Sequence, residues 1–143
     1  MADPTNPKDL IGVRKPRLGT LPAAGVIYGA LAIQDSPYGP YNWREKKVLM
    51  SVYLDAIERH VMALRDGEDN TRDSKVPHLG SIIANAAILA DAFEGGWLID
   101  DRPPPGPAAN MIEKYTKEKQ DVGDIHPGVD NGNTKPRRGK LRG

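Results

Sequence analysis

Residues 44–93 read REKKVLMSVYLDAIERHVMALRDGEDNTRDSKVPHLGSIIANAAILADAF, and the apolar spacing within them decides the fold. At 100° per residue, Leu49, Met50, Tyr53, Leu54, Ile57, Val61 and Leu64 fall within one arc of about 140°. Asp55, Glu58, Arg59 and Arg65 point the other way. That period predicts a helix over about 44–66. Gly67 supplies its stop, because the left-handed conformation that ends many helices favours glycine. Residues 68–75 (EDNTRDSK) contain no apolar side chain and read as a polar loop. A second helix is predicted over about 77–93, carrying Leu79, Ile82, Ile83, Ala86, Ala87, Ile88 and Leu89 and ending at Gly95-Gly96. Two such helices joined by a polar loop make an antiparallel hairpin.

Outside this hairpin the chain changes character. Glycine and proline number 15 and 13, yet only Gly67, Pro77 and Gly80 fall between residues 44 and 94. Inside a helix these residues cost roughly 1 and 3 kcal/mol respectively, so long helices belong to the middle third. A shorter helix is expected over 22–34 (PAAGVIYGALAIQ), with Pro22 suited to a first turn and Gly25 and Gly29 weakening it. Residues 35–42 (DSPYGPYN) form a turn-rich loop. Ahead of the helix, residues 1–21 read as an extended arm, since the residue before each proline of Lys15-Pro16-Arg17 and Leu21-Pro22 is driven toward β or polyproline geometry. After residue 94, RPPPGP is a linker and Ala108 to Lys119 can form one short charged helix. The basic tail ends on Lys135, Arg137, Arg138, Lys140 and Arg142, with no acid among them. The expected organisation is therefore an arm (1–21), an all-α helical domain (22–94) and a linker, short helix and tail (95–143).

Composition narrows the function classes. The chain has 143 residues and no cysteine, which excludes disulfide scaffolds, zinc ribbons and thiol nucleophiles. No run of 18 apolar residues occurs, and MADPTNPKDL lacks both the basic start and the apolar core of a signal peptide, so a cytoplasmic protein is expected. A net charge of +1 gives no global pull toward nucleic acid or membrane. Two or three helices bury limited surface, and Gly80, Ser81, Ala84, Ala86, Ala87 and Ala90 invite close approach by another helix. Pairing with copies of the same chain, as a homodimer or homotetramer, is the expected way to complete the core.

The chemistry-bearing cluster lies between Asp55 and His78. Asp55, Glu58, Asp66, Glu68, Asp69 and Asp73 are six carboxylates, and His60 and His78 are two of the chain's three histidines. Hard cations such as Mg²⁺ and Mn²⁺ take several oxygen ligands, and Mn²⁺ accepts imidazole as well. Acids on the wet face of a helix and in a solvated turn are also ordinary surface chemistry. His60, at the edge of the apolar arc, suits either a ligand or a core imidazole bonded to a neighbour, and the core role is the commoner. Lys15 and Arg17 sit on a stiff arm where two cations could meet phosphate, though no phosphate-binding glycine loop is present. Tyr28, Tyr41 and Trp43 could stack on a base or serve as core aromatics.

These features fall in a recognisable order: Lys15-Pro16-Arg17-Leu18, Tyr28-Gly29, Asn42-Trp43, Arg59-His60, Gly67-Glu68-Asp69, His78-Leu79 and Asn85. Over a little more than half its length the chain resembles the phage and bacterial dATP/dGTP diphosphohydrolases of MazZ type, a divergent branch of the all-α MazG-like nucleotide pyrophosphatases. The resemblance implies helical hairpins assembled as a dimer or tetramer, with two or three Mg²⁺ or Mn²⁺ ions per site. It implies cleavage of a (deoxy)nucleoside triphosphate between the α- and β-phosphates, giving a monophosphate and pyrophosphate. One departure stands out. The ExxE pair of MazG-like proteins is answered here by Asp55-x-x-Glu58, but the ExxD pair of the next helix is His78-x-x-Ser81.

On this resemblance the metal ligands are drawn from Glu58, His60, Glu68, Asp69, Asp73 and His78, with Glu68 and Asp69 the catalytic carboxylates. Lys15, Arg17 and Arg59 are the phosphate candidates, and Tyr28, Trp43 and Asn85 the base or sugar candidates. The expected activity is metal-dependent hydrolysis of a purine nucleoside triphosphate, dGTP or GTP preferred. In a phage that carries 2-aminoadenine in its DNA, the product dGMP would feed synthesis of the modified purine. The alternative is a non-catalytic helical protein that binds nucleic acid through its basic tail.

Overall fold

The computed structural model of the chain describes residues 6–117. In order these form α1 (Pro7–Gly12), a 3₁₀ turn (Leu18–Thr20), α2 (Ala23–Asp35), α3 (Asn42–Glu45), β1 (Val48–Leu49), α4 (Met50–Arg65), α5 (His78–Gly95), β2 (Leu98–Ile99) and α6 (Ala108–Tyr115). The all-α expectation holds, with one two-residue strand pair added. Two units separate by contacts, residues 1–104 and 105–143, and α6 is the element described in the second. The basic tail lies outside the described residues.

The hairpin forms as its spacing predicts. At Gly67 (φ 89°) α4 stops, and the Glu68 amide closes back on the Ala63 carbonyl at 3.0 Å. At Gly96 (φ 81°) α5 stops in the same way, with the Trp97 amide 2.9 Å from the Ala92 carbonyl. The polar loop between them is held by its own backbone. Thr71 N–H donates to the Val76 carbonyl at 2.8 Å, and His78 N–H donates to the Asp69 carbonyl at 2.9 Å.

Central in the first unit is α5, which packs against α2 on one side and α4 on the other. Two glycines make the α2 contact close. A Cβ on Gly80 would lie 2.3 Å from the Tyr28 carbonyl oxygen, and one on Gly29 would lie 2.8 Å from the Ile83 side chain. The small residues of α5 therefore do admit a helix, but for Gly80 and Ala84 it is the chain's own α2 rather than a copy. Ala86, Ala87 and Ala90 stay exposed.

Beyond the expected helical domain, β2 returns to pair with β1 in parallel, Val48 opposite Leu98 and Leu49 opposite Ile99. This sets the start of α4 beside the end of α5. Asp101 then caps α4 from 50 residues away, its carboxylate accepting from the Ser51 amide at 2.9 Å and from the Ser51 hydroxyl. The small core sits at this end, with Trp43, Val48 and Ala92 buried and Tyr53, Ile88, Trp97 and Leu98 packed on them.

Two expectations are revised. The arm is not extended throughout, because Asn6 caps α1 by accepting from the Lys8 amide at 2.9 Å, with Pro7 in the first turn. The helix expected from residue 44 starts at Met50 instead, preceded by the single turn of α3 and by β1.

Candidate active site

A cavity of about 500 Å³ opens among α2, α3, α4 and α5. Its apolar wall comes from Ile33, Val52, Ala56, Ala84 and Ile88, and its aromatic wall from Tyr38, Trp43 and Tyr53. Its polar side chains are those of Ser36, Asn42, Arg59, His60, Ser81 and Asn85 together with the two tyrosine hydroxyls, and among the described residues no carboxylate lines it. Helical spacing explains the α4 side, since residues 52, 53, 56, 59 and 60 fall on one face.

Trp43 is 5% exposed, and its indole N–H donates to Asp91 Oδ2 at 2.7 Å. The same carboxylate takes two bonds from Arg44, at 2.9 and 2.8 Å, and these donors hold Asp91 down at about 2. The Arg44 guanidinium lies 4.5 Å from the Tyr41 ring centre and 5.3 Å from that of Trp97. Trp43 is thus a core anchor that also forms one wall of the cavity.

Arg59 differs from Arg44, Arg72 and Arg102, each of which is paired with a carboxylate. It lines the cavity with no ion pair among the described residues, as an exposed cation must be if it is to meet an anionic ligand. Beside it, His60 Nδ1 lies 2.8 Å from His78 Nδ1, with the rings 5.1 Å apart and tilted by 53°. One proton serves both nitrogens. His78 is 7% exposed and its Nε2 is buried with no hydrogen-bond partner among the described residues. Burial, then His78 and Arg59, push His60 below its ordinary 6.5, and Asp73 opposes them weakly.

That shift has a consequence for stability. Between the folded and unfolded titrations of His60 the unfolded chain binds more protons, so stability rises with pH in that interval. It is present above about 6.5 and is lost as pH falls toward the lower folded value. The melting temperature is expected to drop between pH 7 and pH 5, and His60→Gln should flatten that slope. An unchanged slope in the variant would contradict the assignment.

The other sequence candidates do not converge on the cavity. Glu58 is exposed on the side of α4 roughly opposite the cavity residues, so the Asp55-x-x-Glu58 pair does not face it. Glu68 is clasped by Arg72 four residues on, which holds its carboxyl below the usual range. Asp69 supplies its backbone carbonyl to His78, and Asp73 turns its carboxylate back to the Ser74 amide at 2.8 Å. Lys15 and Arg17 are exposed and do not line the cavity, and Tyr28 packs its backbone on Gly80.

Among the described residues no three His, Asp or Glu side chains lie close enough together to hold a metal ion. The expected set of Glu58, His60, Glu68, Asp69, Asp73 and His78 therefore does not fit a resident Mg²⁺ or Mn²⁺ within one described chain. Of the sequence candidates, Trp43, Arg59, His60 and Asn85 are brought together. Asn42, Tyr38, Tyr53 and Ser81 join them at the cavity, and in the sequence nothing beyond their place on a loop or helix face marks the last three.

Fold and cavity define the class, an all-α hairpin protein with a ligand-sized space between its helices. Residues 5–102 match the family model described as dATP/dGTP diphosphohydrolase, N-terminal, and the chain belongs to that family. The family is one of hydrolases acting on nucleoside triphosphates. No curated protein and no solved structure gives a significant match. Among the described residues no helix is long and apolar enough to cross a membrane.

Proposed function

We propose that the chain hydrolyses a purine nucleoside triphosphate, dGTP or GTP, between the α- and β-phosphates. The observation that carries this reading is the pairing of an aromatic, carboxylate-free cavity with an uncommitted Arg59 at its wall. The nucleoside occupies the cavity, and the phosphates lie toward Arg59, whose fork matches phosphate oxygens. Mg²⁺ or Mn²⁺ enters as part of the substrate, bound to the triphosphate.

Water adds to phosphorus, the α–β bridging P–O bond breaks, and pyrophosphate leaves. Arg59 offsets negative charge at the phosphates. His60 takes the proton from water. With its folded titration below 6.5 the ring is neutral near pH 7, and when its Nδ1–H is donated to His78 its Nε2 is the free acceptor. Glu68 and Asp69, expected as the catalytic carboxylates, are off the cavity wall and are not assigned the proton.

The working form is a homo-oligomer. Val26, Ile27 and Leu31 of α2 are 53%, 58% and 42% exposed, an uncovered apolar face of the kind a partner subunit closes. The biological role that the family resemblance supports is supply of dGMP for 2-aminoadenine synthesis in a phage.

Chromatography of a panel of triphosphates, with each metal and with EDTA, tests the proposal. Pyrophosphate and monophosphate from dGTP, lost with EDTA, are expected. Orthophosphate as the only phosphate product, or turnover unaffected by EDTA, would overturn it.

A further inference from the structure

Residues 8–24 are exposed without exception. This arm is nevertheless shaped, with the Lys15 amide 3.1 Å from the Gly12 carbonyl and the Arg17 carbonyl accepting from the amide and the hydroxyl of Thr20, at 3.0 and 2.7 Å. Leu10, Ile11, Val13, Leu18 and Leu21 are each more than half exposed, so a formed segment holds five large apolar side chains in water. The stripe continues onto α2. Ala23, Val26, Ile27, Ala30 and Leu31 recur at helical spacing and stay exposed, on the side away from the Gly25 and Gly29 that meet α5. A monomer rarely leaves so much apolar surface open, and a standard interface takes about 20–30 residues from each side, the size of the stretch 8–31.

The cavity lacks what the arm carries. Arg59 is the single lysine or arginine that lines it, whereas a triphosphate bears several negative charges. Lys15 and Arg17 make no ion pair among the described residues, but within one chain they leave from the wrong end of α2. At 1.5 Å per residue, Ala23 lies about 15 Å along the helix from Ile33, which lines the cavity. Pairing two copies through the α2 stripe, about a two-fold axis that crosses the helix, removes this distance. The two helices then run antiparallel, and the Ala23 end of each lies at the Ile33 end of the other.

We infer that two copies of the chain pair in this way and that the arm of each reaches the cavity of the other, where Lys15 and Arg17 join Arg59 in holding the phosphates. This rests on the reading of the cavity as the substrate site of a triphosphate hydrolase. The apolar side chains of the arm supply the docking, because Leu18 and Leu21 flank the cations and bury on the partner as they arrive. Pro16 fixes the backbone between Lys15 and Arg17, so the two charges are delivered together. Each site is incomplete without the second copy.

The chain has no cysteine, so introduced thiols report on the pairing alone. Full-length Leu18→Cys protein mixed with Gln34→Cys protein should be joined by a short bismaleimide into a mixed dimer, both positions being exposed. Subunit complementation then tests the shared site. The Lys15→Ala/Arg17→Ala double variant and Arg59→Ala should each release pyrophosphate from dGTP on the order of tenfold more slowly than wild type, or slower. Co-expressed at equal levels, they should recover about one quarter of the wild-type rate, because half of the dimers are mixed and one of the two sites in each is intact. A monomeric wild type in sedimentation, no mixed cross-link, or no recovery on co-expression where wild type is active would overturn the inference. A mixed cross-link without pyrophosphate release from wild type removes the hydrolase reading and leaves the exchanged arms, and release with neither cross-link nor recovery does the reverse.

Discussion

Arg59→Ala is expected to lower kcat/KM for dGTP by on the order of 10²–10³-fold and to leave the melting temperature almost unchanged. Arg59 is exposed and makes no ion pair among the described residues, so the fold loses no partner when the side chain is removed. The transition state loses a two-pronged donor where charge builds on the leaving pyrophosphate. Arg59→Lys should recover only part of the rate, because an ammonium is a point charge without the planar fork. Steady-state kinetics with a thermal melt of each variant decides it. A fall of less than threefold in kcat/KM would remove Arg59 from the site.

Trp43→Ala is expected to destabilise the first unit by about 3–5 kcal/mol, the usual cost of truncating a buried tryptophan. For a unit of this size that is a fall in melting temperature on the order of 15–25 °C. The indole fills the small core with Val48 and Ala92, and Tyr53, Ile88, Trp97 and Leu98, which pack on that core, lose its contacts. Asp91 also loses one of its donors, although both bonds from Arg44 remain. Trp43→Phe should cost clearly less, since a six-membered aromatic ring is kept and only the pyrrole ring with its N–H is lost. A melting temperature within about 5 °C of wild type for Trp43→Ala would contradict a core role.

The hairpin was legible because its signals are local. The 3.6 period of Tyr53, Ile57, Val61 and Leu64, the stop at Gly67 and the stop at Gly96 each act within one turn of themselves. The Asn6-Pro7 start of α1 is equally local, but the prolines at 16 and 22 dominate a reading of the arm as extended. What joins the elements is not local. Asp101 on Ser51, and Asp91 on Trp43 and Arg44, are 47 to 50 residues apart, and no spacing announces them. Asp91 is the one acid between residues 79 and 93 of a mostly apolar helix, but nothing in the sequence names its partners.

The site was half legible for a related reason. Composition put six acids near two histidines but not which way each side chain turns. Glu58 turns from the cavity by helical phase, Glu68 is taken by Arg72 and Asp73 by its own turn. His60 sat at the edge of the apolar arc, where a partner was required, and the partner is another imidazole rather than a carboxylate or carbonyl. The cavity itself depends on α2 reaching α5 over Gly29 and Gly80. Read along the sequence, Gly25 and Gly29 count only as weak points in a helix.

Backbone and side-chain amide NMR of the full chain, titrated with a non-hydrolysable α,β-methylene analogue of dGTP, tests the central claim most directly. The account predicts shift changes that saturate together at residues 52–60 and 81–88, at the Asn42 and Asn85 side-chain amides and at the Trp43 indole N–H. Changes confined to the Lys15–Arg17 arm or to the 66–76 loop, with the cavity wall silent, would contradict it.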